Sequence, residues 1–69
     1  MTLNEIRKAY DENYQNMLEV IRRMGGDGQI KFHRKNRTPL YQKLIMLQKK
    51  EHKLTELENR LRVLEASVQ

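Results

Sequence analysis

Apolar residues at Leu3, Ile6, Tyr10, Tyr14, Met17, Ile21 and Met24 recur at gaps of three or four, which lays a continuous stripe along one helix. Leu18 and Val20 broaden the stripe near its end. At its start Thr2-Leu3-Asn4-Glu5 has the form of a capping box, in which the threonine hydroxyl and the glutamate side chain satisfy each other's backbone N–H groups. Helix one is therefore expected over about residues 2–24. It should stop at Gly25-Gly26-Asp27-Gly28, because glycine supplies the left-handed cap and propagates a helix poorly.

A second pattern opens at Thr38-Pro39, a good N-cap followed by proline at the first helical position, where its missing N–H costs nothing. From Leu40 to Val68 neither glycine nor proline intervenes. Helix two is expected over about residues 39–67, a length of roughly 45 Å at 1.5 Å per residue. Leu54, Leu57, Leu61, Leu64 and Val68 are spaced 3, 4, 3 and 4, the a/d pattern of a heptad, and the a positions extend back to Leu47 and Leu40. Upstream, Lys43 and Lys50 take the d positions while Leu44, Ile45 and Met46 widen the apolar surface. That half should pack against helix one. Residues 25–37 read as a connector, and the alternation of Ile30 and Phe32 with Lys31 and His33 suggests a brief extended arm.

The expected fold class is all-α: a two-helix antiparallel hairpin, one domain over residues 1–69, with a glycine/basic connector and a longer, coiled-coil-like C-terminal helix. Helix two outlasts helix one by about 10 Å. Its leucine seam then faces water unless another chain covers it. A chain of 69 residues without cysteine has a small core and no disulfide to brace it. Leu47, Leu54, Leu57, Leu61, Leu64 and Val68 are therefore the expected oligomer interface, with a dimer favoured. The longest apolar run, Leu44 to Leu47, is far short of a membrane span, and no membrane role is expected. The first residues lack the basic start and apolar stretch of a secretory signal, so the expected location is cytoplasmic.

Charge changes the picture more than composition does. Residues 22–53 hold Arg22, Arg23, Lys31, Arg34, Lys35, Arg37, Lys43, Lys49, Lys50 and Lys53 against Asp27 and Glu51 alone. The flanking segments are both slightly acidic, so the whole formal charge of +5 comes from the middle. Concentrated like charge repels itself and suits an acidic partner. Arg22, Arg23, Lys31, His33, Arg34, Lys35 and Arg37 are the expected contacts to the backbone of DNA or RNA, with Phe32 and His33 able to stack on a base. The competing readings are an acidic protein partner and a solvated charged face.

Catalysis finds no support. His33 and His52 are the only histidines, and no third ligand at recognised spacing completes a metal site. Neither has a nucleophile to serve, and the glycine turn lacks the Lys-Ser or Lys-Thr of a phosphate loop. No enzyme, metal or cofactor is expected. The expected function is a small oligomerising interaction protein, a regulator or adaptor, with a basic arm for nucleic acid. The alternative is an adaptor or inhibitor that pairs its leucine seam with a helix of a partner protein.

Overall fold

The structure, a computed structural model, describes residues 2–68. The protein is all-α, with α1 over Leu3–Met24, a 3₁₀ turn over Asp27–Gln29, α2 over Ile30–Asn36 and α3 over Pro39–Val68. Among the described residues there is no strand.

Both ends of α1 and the start of α3 rest on local chemistry. The Thr2 hydroxyl accepts from the Glu5 N–H at 3.2 Å, and the Thr2 N–H donates to the Glu5 carboxylate at 3.4 Å, which completes the capping box. At the other end Gly25 and Gly26 adopt φ of 105° and 103°, and their N–H groups close a Schellman motif onto Arg22 and Ile21. Thr38 caps α3 by accepting from the Tyr41 N–H at 3.3 Å.

The connector departs from expectation. In place of an extended arm the chain makes a 3₁₀ turn and then the seven-residue helix α2. A period-two pattern of two residues is outweighed by a period-three one, because Ile30 and His33 fall on one helical face. There Ile30 packs against the Val20–Met24–Leu44 cluster. α2 ends on Arg37, the one non-glycine residue with positive φ among the described residues, at φ 47° and ψ 49°.

α1 and α3 lie side by side and run in opposite directions. Tyr10 reaches Thr55, Asn13 reaches Leu47, and Val20 and Met24 pack with Leu44, so contacts climb α1 as they descend α3. The buried stripe of α1 also differs from expectation. Its positions are Leu3, Ile6, Tyr10, Asn13, Met17, Val20 and Met24, spaced 3, 4, 3, 4, 3 and 4. Tyr14 is instead 55 % exposed, while Ile21 is half-buried and packs against the Val20–Met24–Leu44 cluster from beside this row. A strict 3–4 alternation keeps a seam facing one neighbouring helix, whereas a stripe through Tyr14 and Ile21 drifts around the cylinder. Holding the seam requires an asparagine at one of its positions.

Asn13 is fully buried. Its Nδ2 donates to the Leu47 carbonyl at 2.9 Å and contacts the Met17 sulfur at 3.7 Å, while its Oδ1 has no partner. It separates buried Ile6 from the Val20–Met24–Leu44 cluster along α1. The Tyr10 hydroxyl donates to Thr55 Oγ1, which passes its own proton to the Glu51 carbonyl at 3.0 Å. Two polar ties thus fix the register of α1 on α3, one from each neighbouring turn.

On α3 the side facing α1 is formed by Leu40, Leu44, Leu47 and Leu54. Two residues of the expected oligomer seam, Leu47 and Leu54, are therefore used inside the chain. Leu57 and Leu64 are exposed, Leu61 is half-buried, and the side chain of Val68 lies outside the described residues. With Tyr10 level with Thr55, the last turns of α3 pass beyond the start of α1. The result is a rod of 49 × 18 × 17 Å with a radius of gyration of 15.2 Å, against about 11 Å for a compact chain of this length.

Asn13 generates the first prediction. The Leu47 carbonyl lies inside α3 and keeps its helical partner when the amide is removed. Asn13→Val, which puts a wholly apolar side chain at this buried position, should therefore raise the unfolding free energy by about 1 kcal/mol in urea denaturation. A fall in stability would show that the amide bond outweighs the unsatisfied oxygen.

Candidate nucleic-acid interface

The seven expected contact residues separate into three groups. Arg22 and Arg23 stand on the last turn of α1 and share one carboxylate. Arg22 Nε and Nη2 donate to Glu19 at 2.9 and 2.6 Å, and Arg23 Nε donates at 3.2 Å. The Arg22 hydrogen bonds, reinforced by Arg23, hold the Glu19 carboxyl down at about 2, and the same bonds push the Arg22 guanidinium upward. All three groups are open to water, where such pairs contribute little to stability. Their effect is local: Glu19 stays ionised through ordinary pH and offsets part of the positive charge at this end of α1.

His33 forms the second group, and it is an internal tie. Nε2 lies 3.0 Å from the Met24 carbonyl at the end of α1, and Nδ1 lies 2.7 Å from Thr38 Oγ1 at the start of α3. The carbonyl only accepts, so Nε2 carries a proton. In the neutral ring Nδ1 then accepts from the Thr38 hydroxyl, which in turn accepts from the Tyr41 N–H. Both ring nitrogens are occupied in joining three helices, and the edge of the ring meets Phe32 with centroids 5.5 Å apart. His33 therefore serves as a structural tie whose ring nitrogens already have partners. Phe32 itself is 58 % exposed.

Lys31, Arg34, Lys35 and Arg37 form the third group. All are exposed, and none makes an ion pair among the described residues. They occupy just over one turn of α2 and its cap. Arg34 and Arg37 share an open hollow of about 630 Å³ with Tyr41, Gln42, Ile45, Met46 and Lys49 of α3. Three cations rim it and no carboxylate lines it. The apolar part comes from Ile45, Met46 and the half-buried Tyr41. Gln42 Nε2 donates to the Arg37 carbonyl at 3.3 Å and so ties the cap of α2 to α3.

Tyr41, Gln42 and Lys49 were not singled out by the sequence pattern as contacts. For Tyr41 and Lys49 the signal lies in the spacing: 41, 45 and 49 repeat every four residues along α3, in a row beside Leu40, Leu44 and Leu47. Arg37 carries the strain of the site. Left-handed backbone costs a residue with a side chain about 1–2 kcal/mol, and glycine is the usual occupant of such a cap. Among the described residues no cluster of three histidine, aspartate or glutamate side chains is placed to hold a metal ion. No helix is long and apolar enough to cross a membrane.

Comparison with protein-family models, with curated proteins and with solved structures gives no match. The site stands on its own geometry.

Two substitutions separate fold from surface. His33→Ala removes two hydrogen bonds between helices and should lower the unfolding free energy by about 1–2 kcal/mol, read by the urea midpoint. Arg37→Gly should do the reverse, keeping stability or raising it by about 1 kcal/mol as the strained backbone relaxes, while removing one rim charge. A clear loss of stability in Arg37→Gly would mean that the arginine side chain makes contacts that outweigh its backbone.

Proposed function

We propose that the chain is a small helical hairpin that self-associates and lays the basic surface of α2 and α3 against the phosphate backbone of nucleic acid. The observation that carries this reading is the set Lys31, Arg34, Lys35 and Arg37, four exposed cations within two turns, with no carboxylate partner among the described residues. Lys49 extends the set from α3. Three cations on the long helices are met by acids one turn away, Arg22 and Arg23 by Glu19 and Arg62 by Glu58 at 3.5 Å. Leaving α2 unmatched costs self-repulsion that a polyanion relieves. Phosphate contacts of this kind position a protein without reading sequence.

Self-association draws support from the small core and from the far end of α3. Five apolar side chains are buried among the described residues, while Leu57 stays exposed beside the first turns of α1 and Val63 and Leu64 stay exposed where α3 passes beyond it. A second copy covering these residues adds the apolar burial that a rod of this size lacks. The same overhang supports the alternative, in which a helix of another protein takes that place and the basic surface steers an acidic partner.

Salt dependence tests the nucleic-acid reading directly. Each lost phosphate contact should lower the slope of log affinity against log salt by about 0.9 on duplex and about 0.7 on single strands. Replacing Lys31, Arg34, Lys35 and Arg37 together by Ala should therefore cut the slope by about 3.6 on duplex and about 2.8 on single strands. An unchanged slope would remove α2 from the interface. Light scattering on the same samples reports the assembly state, and a monomer at all concentrations would remove the self-association.

A further inference from the structure

The hollow between α2 and α3 asks more of a ligand than negative charge. Arg34, Arg37 and Lys49 supply three cations at its rim, and Tyr41, Ile45 and Met46 supply an apolar floor. Met46 is 70 % exposed, an unusual position for a large apolar side chain without a covering neighbour. At about 630 Å³ the hollow lies within the roughly 300–1,000 Å³ typical of small-ligand sites. A fitting occupant therefore carries more than one negative charge on a flat, apolar body.

Duplex nucleic acid meets only half of that description. Its phosphates are exposed, but its bases are stacked and turn only their edges outward. An unpaired strand offers both parts, because each base has a free π-face and phosphates on either side. We infer that the hollow seats one unstacked base of a single-stranded nucleic acid, with the flanking phosphates on Arg34, Arg37 and Lys49. This rests on the nucleic-acid reading above and narrows it from backbone binding in general to unpaired strands.

The surrounding chemistry fits that occupant. Tyr41 is held in place from behind by the Val20–Met24–Leu44 cluster, so it borders the hollow on a fixed footing. The Met46 thioether is polarizable and packs well against aromatic rings. One Gln42 Nε2 hydrogen is spent on the Arg37 carbonyl, which leaves its second N–H and its Oε1 for the edge of a base. The strained Arg37 backbone sits at the rim, and strain of this kind concentrates where a site is preorganised. An acidic peptide would satisfy the cations without needing a flat floor, and it enters the test as a competitor.

The experiment uses the full chain with ¹³C-labelled methionine methyl groups and three probes at low salt. The probes are a single-stranded DNA of about ten nucleotides, the same sequence in duplex, and a peptide of alternating Glu and Phe. Binding is read by fluorescence anisotropy, and seating of the base by the Met46 methyl resonance, which a stacked ring shifts upfield. The expected result is affinity for the single strand about tenfold above duplex, the worth of one seated base. Met46 should shift upfield with the single strand, and buried Met24 should stay put. Met46→Ala, at an exposed position that leaves the core intact, should lose most of the single-strand preference without weakening duplex binding. Equal or tighter binding of duplex with no shift at Met46 would overturn the inference while leaving backbone binding in place. Binding of the peptide alone would overturn both, as would the absence of any binding.

Discussion

The seam between α1 and α3 is what the rest of the molecule depends on. All five buried apolar side chains belong to these two helices: Ile6, Val20 and Met24 on one, Leu44 and Leu54 on the other. So little apolar burial gives limited stability, and register matters correspondingly. A slip of one residue would exchange the seam for its neighbours and put Tyr14 and Ile21 where Asn13 and Val20 now lie. Asn13 opposes that slip. Its amide meets one backbone carbonyl of α3 at 2.9 Å, a bond that the slip would break inside the seam. The unsatisfied Oδ1 is the cost of that specificity, a trade known from single asparagines in coiled coils.

The same seam decides what is left for the surface. Once Leu40, Leu44 and Leu47 turn toward α1, the other side of α3 presents Met46 and Lys49 outward, with half-buried Tyr41 and Ile45 between the two. α2 then closes over one edge of that side, held by Ile30 in the core and by His33 bridging the Met24 carbonyl and Thr38. A helix of seven residues has little stability of its own. It is the tertiary ties at Ile30, His33 and Gln42 that fix where Arg34 and Arg37 stand. The charge and the hollow are thus consequences of packing, carried on a short element that packing alone makes rigid.

Charge along the rod follows the same division. The end bearing the connector holds Lys31, Arg34, Lys35 and Arg37, and at the other end the acids Glu5, Asp11, Glu12, Glu56, Glu58 and Glu65 outnumber the bases Arg7, Lys8, Arg60 and Arg62. An oligomer formed through the overhang of α3 would lie at the acidic end and leave the basic one open. Assembly and anion binding therefore make separate demands on the surface, and neither obstructs the other.

Much of the framework is legible in the sequence because it depends on neighbours a few residues apart. Thr2 with Glu5, the Gly25-Gly26 pair and Thr38-Pro39 each act within one turn, so their chemistry marks both ends of α1 and the start of α3 without reference to anything distant. The concentration of cations between residues 22 and 53 is likewise a property of the chain alone. Asn13 in place of Tyr14, α2 in place of an extended arm, and His33 as a tie between helices were decided by the fold. So was the internal use of Leu47 and Leu54. Each depends on which side of one helix meets another, and hydropathy does not report that when a polar residue holds a buried position. The hollow is the clearest case, since Arg34 and Lys49 are fifteen residues apart and become neighbours only when α2 folds back against α3.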